Sequence, residues 1–300
     1  MDLSSYKKKS PAKGGSTEKA NIISTEQKKA QERLQKTTAE SAKDNSKRIP
    51  KAKAAPEGKV ESLGIRLNRY IAHCGVCSRR EADVLIADGK ISVNKKTVTE
   101  MGFKVMPGDR VFMGKKLLKK EDYAYVLLNK PKDFITTTKD THDRKTVMDL
   151  VKRASDVRLY PIGRLDRNTT GLLLLTNDGD LADRLSHPSN NIRKIYKVEI
   201  DKPLESEHLE QISAGFSLED GPVMIDEIAV LTADGKSIGI EIHSGRNRVV
   251  RRIFEHFDYK VERLDRTVYA GLTKVNLTRG KWRHLSDKEI GLLKKKGKKR

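Results

Sequence analysis

The strongest constraint on the fold lies between residues 122 and 293, where strand-like and helix-like segments are interleaved without a regular βαβ repeat. YAYVLLN (123–129) reads as a buried strand, and YKVEI (196–200), PVMIDEIAVL (222–231) and SIGIEIHSG (237–245) as further strands. An Asp234-Gly235 turn joins the last two. TVMDLVKR, GDLADRLSH and ESEHLEQISAG have helical spacing. So does NRVVRRIFEHF, with Val250, Ile253, Phe254 and Phe257 on one face. The unbroken run Leu172–Leu175 reads as one more buried strand. This mixture predicts an α+β domain around a mixed sheet.

A different unit precedes it, over residues 63–121. RLNRYIAHCG spaces Leu67, Tyr70, Ile71 and Cys74 as a helix. In SRREADVLIADGK, Ser78 and Glu81 form a capping box and satisfy two backbone donors at the helix start. Ala82, Leu85 and Ile86 make its apolar stripe, and Gly89 ends it. ISVN and RVFM are short strands, with a turn at residues 107–109. Arg66, Arg69, Arg79 and Arg80 cluster at or beside the two helices.

Residues 1–62 are low in complexity and sustain no apolar period, which predicts a disordered basic arm. The first sixty residues hold 15 Lys/Arg against 7 Asp/Glu. A second basic tail is expected at 294–300. The whole chain carries a net charge of +21 and a pI of about 9.8, which implies a polyanionic partner. No apolar run is long enough to span a bilayer, and no amphipathic helix carries large apolar anchors, so a membrane is excluded as partner. The first residues lack a signal-peptide core, and the two cysteines give no disulfide framework. A cytoplasmic protein is expected.

Several chemistries drop out on spacing. HCGVC brings two thiols three apart, but no second pair completes a zinc site. DRNTTG (166–171) begins like a calcium loop, yet its twelfth position is Asn177 and the intervening residues are apolar. No glycine-rich phosphate loop occurs, so no nucleotide cofactor is expected. Neither metal nor cofactor is expected.

One carboxylate stands apart. In PIGRLDRNTTGLLLLTNDGDL, Asp166 sits between Arg164 and Arg167 at the mouth of the leucine run. GRLDRNTTGLLLLTNDGDLADRLSHPS closely resembles the signature of the ribosomal RNA pseudouridine synthases of the RsuA/RluB/RluE/RluF family. KIYKV (194–198) is similar to that family's tyrosine motif, GRNRVVRR (245–252) to its basic motif, and VERLDRTVYAGL (261–272) to its last motif. Residues 63–121 resemble an S4 RNA-binding domain. The likeness covers roughly 63–293, in several long motifs in the family's order.

The resemblance implies a pseudouridine synthase catalytic domain over 122–293, with a mainly antiparallel mixed sheet flanked by helices. It places the catalytic aspartate at Asp166, the active-site tyrosine at Tyr196 and the basic partner at Arg251. Arg164 falls on a phosphate-contact or base-flipping position, and Leu264 on the apolar pocket wall. Arg246 and Arg248 are expected at the substrate, and Arg66, Arg69, Arg79 and Arg80 on RNA. The implied partner is ribosomal RNA, with a lean towards the large subunit, and the implied state is a monomer. A buried carboxylate tends to protonate unless a nearby cation favours its charged form, which gives an arginine beside Asp166 a purpose. Two other readings compete. A glycosidase needs a second carboxylate across the bond, and Asp178 and Asp180 are placed only after the strand. A non-catalytic RNA-binding or ribosome-assembly factor predicts loss of Asp166, Tyr196 or Arg251, and all three are intact.

Overall fold

A computed structural model describes residues 64–296. The expected basic arm, and the tail beyond Lys296, lie outside the described residues.

The smaller unit opens with β1 (Ile65–Arg66), α1 (Leu67–His73) and α2 (Arg79–Ala87). Ser78 and Glu81 close the expected capping box. Gly89, at φ +67, ends the helix in a left-handed conformation that a side chain would strain. The chain continues through β2 (Ile91–Val93), β3 (Lys96–Thr97), β4 (Lys104–Val105), β5 (Val111–Met113) and β6 (Lys116–Leu117). β4 pairs with β1, and the others form a four-stranded sheet in the order β3-β2-β5-β6. Leu67, Ile71, Ala82, Ile86, Ile91 and Val111 pack its core.

The larger body carries β7 (Tyr125–Lys130), α3 (Val147–Val151), β8 (Tyr160–Ile162), β9 (Thr170–Thr176), α4 (Gly179–Ser186), β10 (Lys194–Ile200) and α5 (Ser206–Ala214). Then come β11 (Phe216–Leu218), β12 (Gly221–Val223), β13 (Glu227–Val230), β14 (Ser237–Ile242), α6 (Val249–Glu255), β15 (Val261–Tyr269), β16 (Leu272–Thr273), β17 (Trp282–His284) and α7 (Asp287–Lys295). The main sheet runs β13-β14-β10-β15-β9-β7-β17. Its pairings are antiparallel except β15 with β9. The mixed, mostly antiparallel sheet expected from the sequence is therefore present.

β9 explains the leucine run. Side chains alternate across a strand, so Leu173 and Leu175 enter one core with Val198, Ile240, Ile253 and Phe254. Leu172 and Leu174 enter a second core on the opposite face, with Leu181, Leu185, Tyr269 and Leu293. Helices cover both faces, which a four-leucine strand requires.

Two expectations need correction. PVMIDEIAVL is not one strand. Its start belongs to the β11–β12 hairpin, and only Glu227–Val230 joins the main sheet. The break falls where the Asp226 carboxylate turns to His243, 2.9 Å away. The basic tail does not begin at 294, because Lys294 and Lys295 form the last turn of α7. That helix was unread, although Ser286 and Glu289 form its capping box. Among the described residues, no helix is long and apolar enough to cross a membrane.

Candidate active site

Asp166 lies in the loop between β8 and β9, and the loop is tied down on several sides. Thr136 exchanges hydrogen bonds with the Leu165 backbone, donating at 2.8 Å and accepting at 3.2 Å. The Asp133 amide donates to the Arg167 carbonyl. Lys130 reaches in from the end of β7, fully buried. Its ammonium group donates to the carbonyls of Pro131 (3.1 Å), Asp166 (3.1 Å), Arg167 (3.2 Å) and Thr169 (2.8 Å). Burial pushes its pKa down to about 8, against the opposing charges of Asp166 and Asp133. Sequence reading missed Lys130. Its only signal was a lysine closing an apolar strand directly before a proline.

β9 fixes the far end of the loop. Gly171 takes φ +104, and a Cβ there would fall 2.3 Å from the Arg266 carbonyl oxygen. Only glycine lets β9 approach β15 this closely, in the parallel pairing of Asp265 with Thr170 and Arg266 with Gly171.

Asp166 looks into a cleft of about 600 Å³ and, among the described residues, is the one carboxylate lining it. Its side chain stays 39% exposed. Arg251, on α6, brings Nε to 4.0 Å from Asp166 Oδ2, and Arg248 brings Nη1 to the same distance. These are charge contacts, longer than hydrogen bonds. Arg251 is buried and donates from Nη1 to the Val261 carbonyl at 2.8 Å, while its Nε has no hydrogen-bond partner. Burial, then the charge of Arg248, lowers its pKa, and Asp166 opposes this. Arg248 adopts a left-handed φ of +48 directly before α6, an uncommon conformation for a long side chain. Its Nη2 donates to Glu255 at 3.0 Å.

The four arginines of RNRVVRR thus divide in two. Arg248 and Arg251 turn to Asp166. Arg246 and Arg252 hold Asp220 of the β11–β12 hairpin, at 3.0 and 2.9 Å. Arg246 also donates to the carbonyls of Gly221 and Pro222. It lines the cleft as expected, but its donors are engaged by the protein's own backbone rather than left open for substrate.

Tyr196 is buried on β10 and Leu264 is buried on β15, and both line the cleft. Arg164 is exposed at the rim, without an ion pair among the described residues. Lys194 and Arg266, both unread in the sequence as site residues, complete the wall. Lys194 donates to the carbonyls of Ile192 (2.9 Å) and His243 (2.7 Å), and burial, then the charge of Arg266, pushes its pKa down to about 8. Arg266 is buried, donates from Nε to the Leu172 carbonyl, and lies 4.5 Å over the Tyr269 ring. Asp178 and Asp180 lie elsewhere. Asp178 caps α4 and accepts from the Tyr125 hydroxyl, and Asp180 pairs with Arg69. The four arginines expected on RNA differ in their engagement. Arg66, Arg79 and Arg80 are exposed, but Arg69 is engaged by that ion pair.

An S4-like unit joined to a basic cleft with a single carboxylate is the layout of an RNA-modifying enzyme. Comparison with known proteins agrees. The RNA pseudouridylate synthase family matches residues 124–256, and the S4 domain family matches residues 65–111. "Ribosomal large subunit pseudouridine synthase B" of Bacillus subtilis is 41% identical over 233 residues, which are 76% of this chain and 95% of that protein. "Dual-specificity RNA pseudouridine synthase RluF" of Escherichia coli is 37% identical over 229 residues, 75% of this chain and 77% of that protein. A crystal structure of a pseudouridylate synthase superposes with a TM-score of 0.54 at 27% identity, over 76% of this chain and 99% of that one. The chain belongs to the RNA pseudouridine synthases, in the RsuA-type branch that carries an S4 domain.

Proposed function

We propose that the protein converts a specific uridine of ribosomal RNA, in the large subunit, to pseudouridine, with Asp166 as the catalytic carboxylate. The observation that carries this reading is Asp166 itself, alone in its cleft among the carboxylates of the described residues, with two guanidinium groups at 4.0 Å. The reaction breaks the bond from C1′ to N1 of the base, rotates the base, and forms a bond from C1′ to C5. The C5 proton leaves and N1 gains one, so no oxidant, donor or cofactor enters the balance. The uridine must leave its stack before a carboxylate can reach its sugar. Asp166 acts on the ribose, as nucleophile or as base, and both roles need a charged carboxylate held still. Arg251 and Arg248 favour that charge, and the Lys130 clasp fixes the loop. Tyr196 and Leu264 form the wall against which the base turns. Arg164, at the rim, meets the RNA backbone.

The choice of the large subunit rests on the name of the Bacillus subtilis relative. We assign residues 63–121 to RNA positioning and 122–293 to catalysis, in a cytoplasmic monomer. The test is pseudouridine mapping of ribosomal RNA from cells with the gene, without it, and with Asp166→Asn in its place. The site should vanish in the last two and return with the wild-type gene. Asp166→Asn should bind the RNA fragment nearly as tightly as wild type. A variant that still forms pseudouridine removes Asp166 from catalysis.

A further inference from the structure

We propose that Asp220, which does not itself line the Asp166 cleft, is a positioning residue: it braces residues 246–252 so that Arg248 is held in the left-handed conformation that turns its guanidinium to Asp166. The proposal rests on the reading of Asp166 as the catalytic carboxylate.

Arg248 stands in an unfavourable backbone conformation, φ +48 and ψ 26. There a Cβ crowds the following carbonyl oxygen, and such a residue persists only where its surroundings over-determine it. Its own side chain is lightly held, by one hydrogen bond to Glu255 and the 4.0 Å charge contact to Asp166. The flanking residues are held far more firmly. Asp220 gives one oxygen to each side. Its Oδ1 accepts from Arg246 Nη1 at 3.0 Å, and its Oδ2 accepts from Arg252 Nη2 at 2.9 Å. Arg252 also donates from Nε to the Asn247 carbonyl at 3.0 Å. That carbonyl belongs to the planar peptide joining Asn247 to Arg248, and turning this plane is the φ rotation of Arg248. Arg252 thus links the Asp220 carboxylate to the dihedral that is strained.

The brace has a firm footing. Leu218 pairs with Gly221, so Glu219 and Asp220 form the turn of the β11–β12 hairpin. Arg246 also donates to the carbonyls of Asp220, Gly221 and Pro222. Further back, Phe216 stacks on His256 with ring centroids 4.8 Å apart and meets Phe257 edge-on at 5.2 Å, while Val223 is buried in the core. The hairpin therefore grips α6 just past its end through rings and at its start through Asp220. The Arg246 and Arg252 side chains are only 26% and 27% exposed, so water competes less for these bonds than it does at an open surface. The Arg252 hydrogen bond holds the Asp220 carboxyl below the ordinary carboxylate range, which keeps it charged at neutral pH.

Two measurements test the proposal, and the first needs no activity. Arg248→Gly and Arg248→Ala both remove the guanidinium, and they differ in what a left-handed φ costs. The glycine variant should be the more stable, by roughly fivefold in the unfolding equilibrium constant, because the Cβ penalty outweighs the entropy that glycine loses. With Asp220→Ala added to each, the segment is free to relax and the difference should shrink or reverse. An undiminished difference overturns the proposal. The second measurement is kinetic, on a ribosomal RNA fragment spanning the mapped uridine. Asp220→Ala should lower kcat roughly ten- to a hundredfold, the cost of misplacing a group beside the reacting atoms, and KM should hold. In an Arg248→Gln background the same change should cost little more, because the group it positions is already gone. Glu219→Ala, which removes the exposed carboxylate next to Asp220, should keep the wild-type rate. A wild-type kcat in Asp220→Ala overturns the proposal, and so does a loss confined to KM. An equal loss in the Arg248→Gln background, or an equal loss from Glu219→Ala, also overturns it. If wild type makes no pseudouridine, the functional reading fails, while the stability comparison still reports on the brace.

Discussion

At the residue scale, the sequence motif singled out Asp166 but not the donors around it that are already in use. Asp166, Tyr196 and Leu264 line one cleft, and Arg251 approaches Asp166 from the buried side. Arg246 reads in the sequence like its neighbour Arg248, because nothing in a sequence shows which arginine will satisfy backbone carbonyls. Arg251 carries only a modest structural weight. A fully buried Asp166 would be stranded by its removal, but Asp166 is 39% exposed and water takes over part of the role. Arg251→Leu should therefore cost mainly its bond to the Val261 carbonyl, about 1.5–3 kcal/mol. Its effect on turnover should be much larger than that, with single-turnover rates as the measure. Equal turnover in the variant would remove Arg251 from the site. Lys130 offers a second test. Its ammonium titrates at about 8 when folded, and an unfolded lysine titrates near 10.4. Between those values the unfolded chain holds a proton that the folded chain has released, so stability rises with pH. Below about 8 both states are protonated and the contribution is flat. Lys130→Met should be less stable than wild type, since it leaves loop carbonyls without a donor. The gap should widen as pH climbs from 8 to 10. Lys194, also at about 8, adds the same slope to both proteins and cancels. Denaturant titrations at three pH values measure the gap, and a gap that narrows refutes the assignment.

At the level of elements, periodicity recovered those whose burial repeats and lost those that mix roles. The leucines of β9 and the box-capped α2 were legible because pattern and packing agree. β15 was recognised only as a motif. VERLDRTVY buries Val261, Leu264, Arg266 and Tyr269 at uneven spacing, and a buried arginine hides a strand from any hydropathy pattern. The β15–β9 contact also fixes the far end of the Asp166 loop, and it depends on the glycine of DRNTTG. Gly171→Ala would place a methyl group against the Arg266 backbone in a conformation that side chains rarely adopt. It should destabilise the catalytic body by roughly 2–4 kcal/mol. A movement of the Asp166 loop should follow, so activity should fall even at temperatures where the variant remains folded. Thermal unfolding and activity below the transition separate the two effects. A variant with wild-type stability would mean that β9 and β15 can separate without cost.

For the whole molecule, the order of units was legible in composition and motif, whereas the clasp of Asn177 on the 122–124 segment was not, because it joins residues more than fifty positions apart. Charge is the property that only the whole chain displays. Of its net +21, the first sixty residues carry 15 cations against 7 anions, a surplus of 8. A charge surplus acts on any phosphate within reach, and each phosphate it neutralises releases counterions, whatever the base beside it. Arginines on folded elements keep set distances from Asp166, so any contact they make with RNA depends on where the RNA lies. Deleting residues 1–62 should therefore weaken binding to target and scrambled RNA by the same factor and flatten the salt dependence of both. The modified position should not move, and the rate at saturating RNA should hold. Filter binding of both RNAs from 50 to 300 mM KCl (concentrations of roughly the range over which such slopes are measured), with mapping of the modified site, reads all of these outcomes. A deletion that redirects modification to another uridine, or that weakens the target RNA alone, would make the first sixty residues part of the recognition surface.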